Sequence, residues 1–339
     1  MDTVRSPMLR RVPLPRVLIF GGVVVVCAVV FGWSSALAST AATQTFVVIF
    51  TSIVVEALPF ILLGAVVSAV VAVYVPQRAF ERVARLPTPL QLPLSAVAGL
   101  AFPVCECGSV PVARRLIARG MHPAAGLSFM LAAPVLNPIV LASTAIAYRG
   151  RGVAFEMVVG RAGLGLLLAV IAGWALGGDR AGELLRERPD ERAVAGHDHG
   201  HSMDARGRRI AFVDHVASDF TFMGRFIIIG AALAAGLQTL IPQSLAAGVA
   251  RTPVVGSLAL MALAFVLSLC SEADAFVAVS FAQFPPGSQL AFLVFGPVVD
   301  AKLAFLYGAT FRRRFVVRLI AVAAPVALAG SLWFEVLVQ

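Results

Sequence analysis

The strongest constraint on this chain is a succession of apolar runs, near residues 17–33, 46–75, 92–113, 123–147, 153–177, 219–242, 253–284, 287–309 and 315–338. In hydrocarbon every backbone polar group must find its partner inside the segment, so such runs become helices. Irregular backbone survives at membrane depth only where protein buries it or where it lines a cavity. Hydrophobic residues make up 59% of the 339 and charged residues only 13%, with mean hydropathy +0.91, against about 25% charged in an ordinary soluble domain. The chain therefore reads as an all-α polytopic membrane protein. Its net charge of +9 would suit nucleic acid, but the arginines stand in short clusters at the ends of apolar runs, where they set topology. No nucleic-acid partner is expected. Four cysteines in this length supply no secreted disulfide framework, and the thiols read as free.

Arg5, Arg10, Arg11 and Arg16 precede the first apolar run, so residues 1–42 read as a retained signal-anchor helix with a cytoplasmic N-terminus. Ala36-Leu37-Ala38 also fits a signal-peptidase site, and cleavage there would remove Cys27. If all nine runs crossed, Arg114, Arg115, Arg119 and the seven arginines of residues 178–218 would lie outside, against the positive-inside rule. Treating 92–119 and 253–284 as hairpins that enter and leave on one side returns both groups to the cytoplasm. That leaves seven spans and two re-entrant hairpins.

An internal duplication supports this arrangement. Residues 58–76 (LPFILLGAVVSAVVAVYVP) align without gaps to 224–242 (GRFIIIGAALAAGLQTLIP), with six identities in nineteen, including Gly64 with Gly230 and Pro76 with Pro242. Residues 127–137 match 290–300, an offset that sets Cys107 on Cys270, Pro134 on Pro297 and Asn137 on Asp300. Two transmembrane repeats, 43–177 and 219–339, are thus expected. An odd number of crossings in each inverts the second relative to the first, an arrangement common in transporters whose broken helices meet at the midplane. Between them, the charged segment 178–218 with Pro189, His197, His199 and His201 is too polar to cross and too poor in apolar residues to form a core, and reads as a flexible linker.

Chemistry concentrates at the hairpin tips. The string Phe102-Pro103-Val104-Cys105-Glu106-Cys107-Gly108-Ser109 places two thiols and a carboxylate beside a Pro- and Gly-induced helix break. On a regular helix residues two apart point about 200° from each other, but an unwound turn can aim both sulfurs at one point. Soft thiolates select Cu(I), Zn(II) or a trivalent metalloid. Cysteines as simple packing residues are the plainer alternative. The second tip, Cys270-Ser271-Glu272-Ala273-Asp274, puts two acids in an apolar run, which by default marks an ion or substrate pathway; acids in water at an interface are the alternative. If Cys270 faces Cys105 and Cys107, three sulfurs converge, as a trivalent thiophile such as As(III) requires.

The next apolar run of each repeat offers Pro134, Asn137 and Pro138, then Pro297, Asp300 and Lys302. Proline deletes a backbone donor and frees a carbonyl, so discontinuous helices presenting polar groups are expected there. Lys302, the only lysine in the chain, is placed to neutralise Asp300 or Asp274, or else to snorkel to the interface. Glu56, inside the second apolar run, is a proton-coupling candidate, with a structural pairing to Arg161 or Arg225 as its alternative. The three linker histidines form a weak metal-collecting set. No Walker motif, nucleophile elbow or paired zinc-finger spacing occurs, so neither an enzyme nor an ATP-driven pump is indicated, and no cofactor is expected.

The segment FPVCECGSVPVARRLIARGMHPAAGLSFMLAAPVLNPIVLAST, together with LCSEADAFVAVSF and FGPVVDAKL, resembles the bacterial UPF0718/DUF318 predicted permeases, a group that includes ArsP-type organoarsenical efflux permeases. The resemblance covers about residues 46–315. It implies a multi-pass permease of the bacterial inner membrane, in some members beside a second small membrane subunit. In the arsenical exporters paired cysteines handle trivalent methylated arsenicals, a part that falls here to Cys105 and Cys107. The expectation is a secondary transporter exporting a thiophilic metal or metalloid ion, or a trivalent organoarsenical, by alternating access. A membrane thiol oxidoreductase and a non-transporting subunit of a two-component permease are the alternatives.

Overall fold

Prolines and short polar caps decide where the helices start. The computed structural model describes residues 41–76, 86–101, 104–178, 184–186, 205–240, 253–312 and 314–338. In chain order its helices are α1 (Ala41–Val73), α2 (Thr88–Ala101), α3 (Glu106–Ala118), α4 (Pro123–Leu136), α5 (Pro138–Ala147), α6 (Ala154–Leu176), α7 (Ala205–Leu240), α8 (Pro253–Leu267), α9 (Asp274–Ala278), α10 (Pro286–Phe295), α11 (Ala301–Thr310) and α12 (Arg314–Val338). Proline in the first turn lacks only an amide that has no helical partner anyway. At α5 the Asn137 side chain accepts from the Ile139 amide at 3.0 Å, and at α11 Asp300 accepts from the Leu303 amide at 2.6 Å, each capping an otherwise orphaned donor.

Met1–Ile49 forms one unit, of which residues 41–49, the start of α1, are described; Phe50–Gln339 forms the other and holds everything discussed below. The expected signal-anchor run, Cys27, Phe102, Pro103 and the linker histidines lie outside the described residues. Five stretches are long and apolar enough to cross a membrane: Thr43–Val73, Pro123–Ala147, Ala154–Leu176, Arg206–Thr239 and Arg314–Val338. Among the described residues this is one fewer than expected. The run at 287–309 is no continuous span but two ten-residue helices, α10 and α11, because residues 296–300, with Pro297 among them, leave the helical path. Pro123–Ala147 is likewise interrupted, at Asn137.

Both expected hairpins fold back on themselves. In the first, α2 packs along α4, with Gly99 so close to Ala133 that a Cβ would come within 2.8 Å of its Cα. After the break at Val104–Cys105, α3 returns until Ile117 fills the space beside Gly126, one turn into α4. In the second, Ser257 near the start of α8 meets Ser288 near the start of α10 at 3.1 Å, and Ala264 meets Gly296 beyond the end of α10. The chain then comes back to the level where it began, since the Gln289 Nε2 donates to the Phe281 and Phe284 carbonyls at 3.1 and 3.0 Å. Each hairpin thus lies along a short helix, of 14 residues in α4 and 10 in α10, with its tip at the far end of that helix.

The two halves repeat one order: a long helix, two broken helices, a long helix. α1 and α7 run antiparallel, Ser68 bonding to Asp219 at 2.7 Å and Tyr74 lying against Phe212. The linker is not flexible throughout its expected range: residues 205–218 already belong to α7. Leu185 forms an antiparallel bridge with Phe311, tied by Arg186 N to Thr310 O at 3.0 Å and Arg312 N to Leu184 O at 3.1 Å.

Glycine is required where helices touch backbone to backbone. A Cβ on Gly64 of α1 would overlap the Gly108 backbone of α3, and one on Gly230 of α7 would press within 2.6 Å of the Lys302 Cα of α11. Small residues are the usual means of such close approach in membranes, where packing, not water exclusion, holds helices together. Gly64→Val should therefore lower stability by about 1–3 kcal/mol or more, read as a drop in thermal unfolding temperature in detergent. Gly163→Ala, inside α6 where nothing lies within 4 Å, should not lower it, since Ala is the better helix former. Single cysteines at Thr88 and Gly120, the outer ends of the first hairpin, should react with an impermeant thiol reagent from the same side of the membrane; labelling from opposite sides would mean that 88–119 crosses.

Candidate functional site

The first tip owes its geometry to a change in backbone conformation at one residue. Cys105 is the N-cap of α3 with extended backbone, φ −74° and ψ 175°, so its side chain leaves the chain outside the helix while Cys107 sits in the first turn. Both thiols are buried and free, and the cap between them removes the constraint of a continuous helix, which would send them to opposite sides. Cys105, Glu106, Cys107, Gly108 and Ser109 are all buried, and the Ser109 hydroxyl donates to the Glu106 carbonyl at 3.0 Å.

At the second tip the chain leaves α8 through Ser268, whose φ of 47° is uncommon for a residue with a side chain. The Ser268 hydroxyl accepts from the Ala301 amide at 3.2 Å and donates to the Phe265 carbonyl at 3.0 Å, tying the tip to the start of α11. The Cys270 thiol then donates to Glu272 Oε2 at 2.6 Å. Ser271, fully buried, donates to Glu106 Oε2 at 2.9 Å. The tips of the two hairpins therefore touch, 165 residues apart in sequence.

Lys302 closes the cluster. Its Nζ lies 2.9 Å from Glu106 Oε1, 3.2 Å from the Leu269 carbonyl and 3.6 Å from Asp300 Oδ2. With its side chain 5% exposed, it does not snorkel. Asp274 is taken by a different partner: Arg161 of α6 grips both its oxygens, at 2.8 and 2.7 Å, and donates to Thr144 Oγ1 at 2.9 Å and the Ser271 carbonyl at 3.3 Å. A planar guanidinium suits such a two-pronged grip. Toward the end of α3, Arg115 bonds to Asp219 at 2.8 Å and to Ser68 at 2.6 Å, with His215 at 3.1 Å. Removing one partner of a buried pair leaves the other charge stranded, at a cost of about 3–5 kcal/mol.

Of the residues expected at the site, Glu106, Ser271, Asp300 and Lys302 come together, with Cys270 and Glu272 beside Glu106 and the buried Cys105 and Cys107 next to it in the chain. The sulfurs do not gather as a trio. Among the described residues, the donors lying within 4.8 Å of one another are those of Glu106, Cys270 and Glu272. Asn137 and Pro138 form the start of α5, Pro134 lies inside α4, and Pro297 lies in the break before α11. Glu56 is half-buried on α1 and takes no part in the hydrogen bonds of the cluster; Arg161, one of its anticipated partners, serves Asp274. Sequence reasoning did not assign Thr144, Arg115, Asp219 or Ser68. The available signal was a lone arginine inside the run 153–177 and a lone acid opening the run 219–242, charges that need a buried counterpart.

With this geometry in place, comparison with known proteins is informative. A family described as predicted permease (ArsP_1) matches residues 42–336. UPF0718 protein YcgR of Bacillus subtilis is 42% identical over 286 residues, covering 84% of this chain and 95% of that protein. A Streptococcus mutans protein named as a two-component membrane permease complex subunit is 31% identical over 282 residues, covering 83% and 91%. No solved structure matches. The match along nearly the whole helical region, and the identity to YcgR, place this multi-pass membrane chain in the UPF0718 family of predicted permeases.

Proposed function

We propose that this permease is a secondary transporter that exports a thiophilic metal or metalloid ion, or a trivalent organoarsenical, through the site at the hairpin tips. The observation that carries the reading is the meeting of Glu106, flanked in the chain by the buried Cys105 and Cys107 thiols, with Ser271 and Lys302 of the other half, all buried. Two adjacent thiols are the natural ligand for a soft, multivalent ion. Because the cluster is contributed by both halves, movement of one half against the other opens it to one face of the membrane and then the other, the usual mode for paired repeats with broken helices. The two repeats, 43–177 and 219–339, are the moving parts, and the antiparallel course of α1 and α7 supports their inversion. Arginine placement supports an inner-membrane protein with a cytoplasmic N-terminus.

The name of the Streptococcus mutans relative favours a second membrane subunit as a working partner. In that case the purified chain transports only when the partner is present.

The test is uptake of methylarsenite into inverted vesicles. Wild type should accumulate it, Cys105→Ser and Cys107→Ser should each lower the rate about tenfold or more, at least what loss of an outer-shell partner costs a metal site, and Glu272→Gln should reduce it. Unchanged transport in all three variants defeats the assignment.

A further inference from the structure

We propose that the cargo bound between the hairpin tips is a cation, and that the Lys302 ammonium is its built-in stand-in, which the cargo displaces from Glu106 and Asp300. The inference rests on the transporter reading and adds to it the charge of what is carried.

Four carboxylates, Glu106, Glu272, Asp274 and Asp300, face the centre, against two cations, Arg161 and Lys302. Arg161 is spent on Asp274, both of whose oxygens it holds. Three carboxylates are then left around one ammonium. Lys302 divides itself unequally, at 2.9 Å from Glu106 and 3.6 Å from Asp300. Asp300 is 1% exposed, yet its Oδ2, the oxygen turned to Lys302, makes no hydrogen bond, and neither does Glu272 Oε1. Unmet acceptors in a buried place are costly, and here they surround a single compact charge that spends two of its three donors on Glu106 and the Leu269 carbonyl and reaches Asp300 only at 3.6 Å. The other polar groups of the centre, the Cys105 and Cys107 thiols, Cys270, Ser271 and Tyr307, bring no positive charge.

An anion would meet carboxylates on every side. A neutral species would leave the surplus to be met by protons on the carboxylates. A cation of higher charge than an ammonium satisfies it, and the donors of Glu106, Cys270 and Glu272, within 4.8 Å of one another, are spaced for one ion at metal-ligand distances of about 2.0–2.6 Å. Lys302 then competes with the cargo for Glu106. It does not ligate it.

The test uses Cd(II) as probe on the purified full-length protein. Because Lys302 is the only lysine, [15N]lysine labelling gives one side-chain nitrogen signal. Saturating Cd(II) should shift it, Lys302→Gln should bind Cd(II) about tenfold tighter, on the scale of one competing charge pair removed, and Asp300→Asn should bind about tenfold weaker. A nitrogen signal unmoved at saturation, or a folded Lys302→Gln that binds Cd(II) no better than wild type, overturns the proposal. If Lys302→Gln does not fold, the wild-type signal alone decides. Thiol-dependent methylarsenite transport by a protein that binds no Cd(II) sinks this inference and leaves the transporter reading standing; absence of both sinks the two together.

Discussion

The ion pair between Glu106 and Lys302 joins residues 196 positions apart at 2.9 Å where almost no solvent reaches. Taking two charges out of water costs several kcal/mol each, and their attraction repays this only when further hydrogen bonds complete the geometry. Ser271 supplies one on the acid side and the Leu269 carbonyl one on the base side. Since both come from the second hairpin, the pair cannot form unless that tip is in place. The charge pair, the tip-to-tip contact and the break that ends α8 are one structure.

Breaks in the helices are what make this possible. An unbroken helix would send Cys105 and Cys107 to opposite sides and carry Asp300 along the ladder of its own backbone. Instead Cys105, Asn137 and Asp300 each stand just outside a half-helix, where a side chain is free to turn inward. The cost is an interior full of backbone ends, met by capping side chains such as Asn137 and Asp300 and by the Ser268 hydroxyl that receives the Ala301 amide. Asp300 does double service, closing a helix end and facing Lys302 at the centre.

Much of this was legible in the residues. The positions of Arg114, Arg115 and Arg119 suggest a hairpin over 92–119, and the alignment of residues 127–137 with 290–300 sets Asn137 on Asp300; both residues do cap a second half-helix. What was illegible is pairing across distance. Nothing local links Arg161 to Asp274, 113 residues away, and a buried lysine and a snorkelling one look alike until the depth of α11 is known. The run 287–309 passes for a span because Gly296 and Pro297 are tolerated in membrane helices, and only packing decides whether the helix continues. Convergence of three sulfurs was a reasonable reading of spacing, but the carboxylate of Glu272 captures Cys270.

Arg115–Asp219, Arg161–Asp274 and Lys302–Glu106 each couple a residue of the first half to one of the second. Removing either end strands a charge in the distant half. The halves are therefore not freely exchangeable: a recombinant that joins one of them to a half lacking the matching residue carries an unmatched charge in its interior.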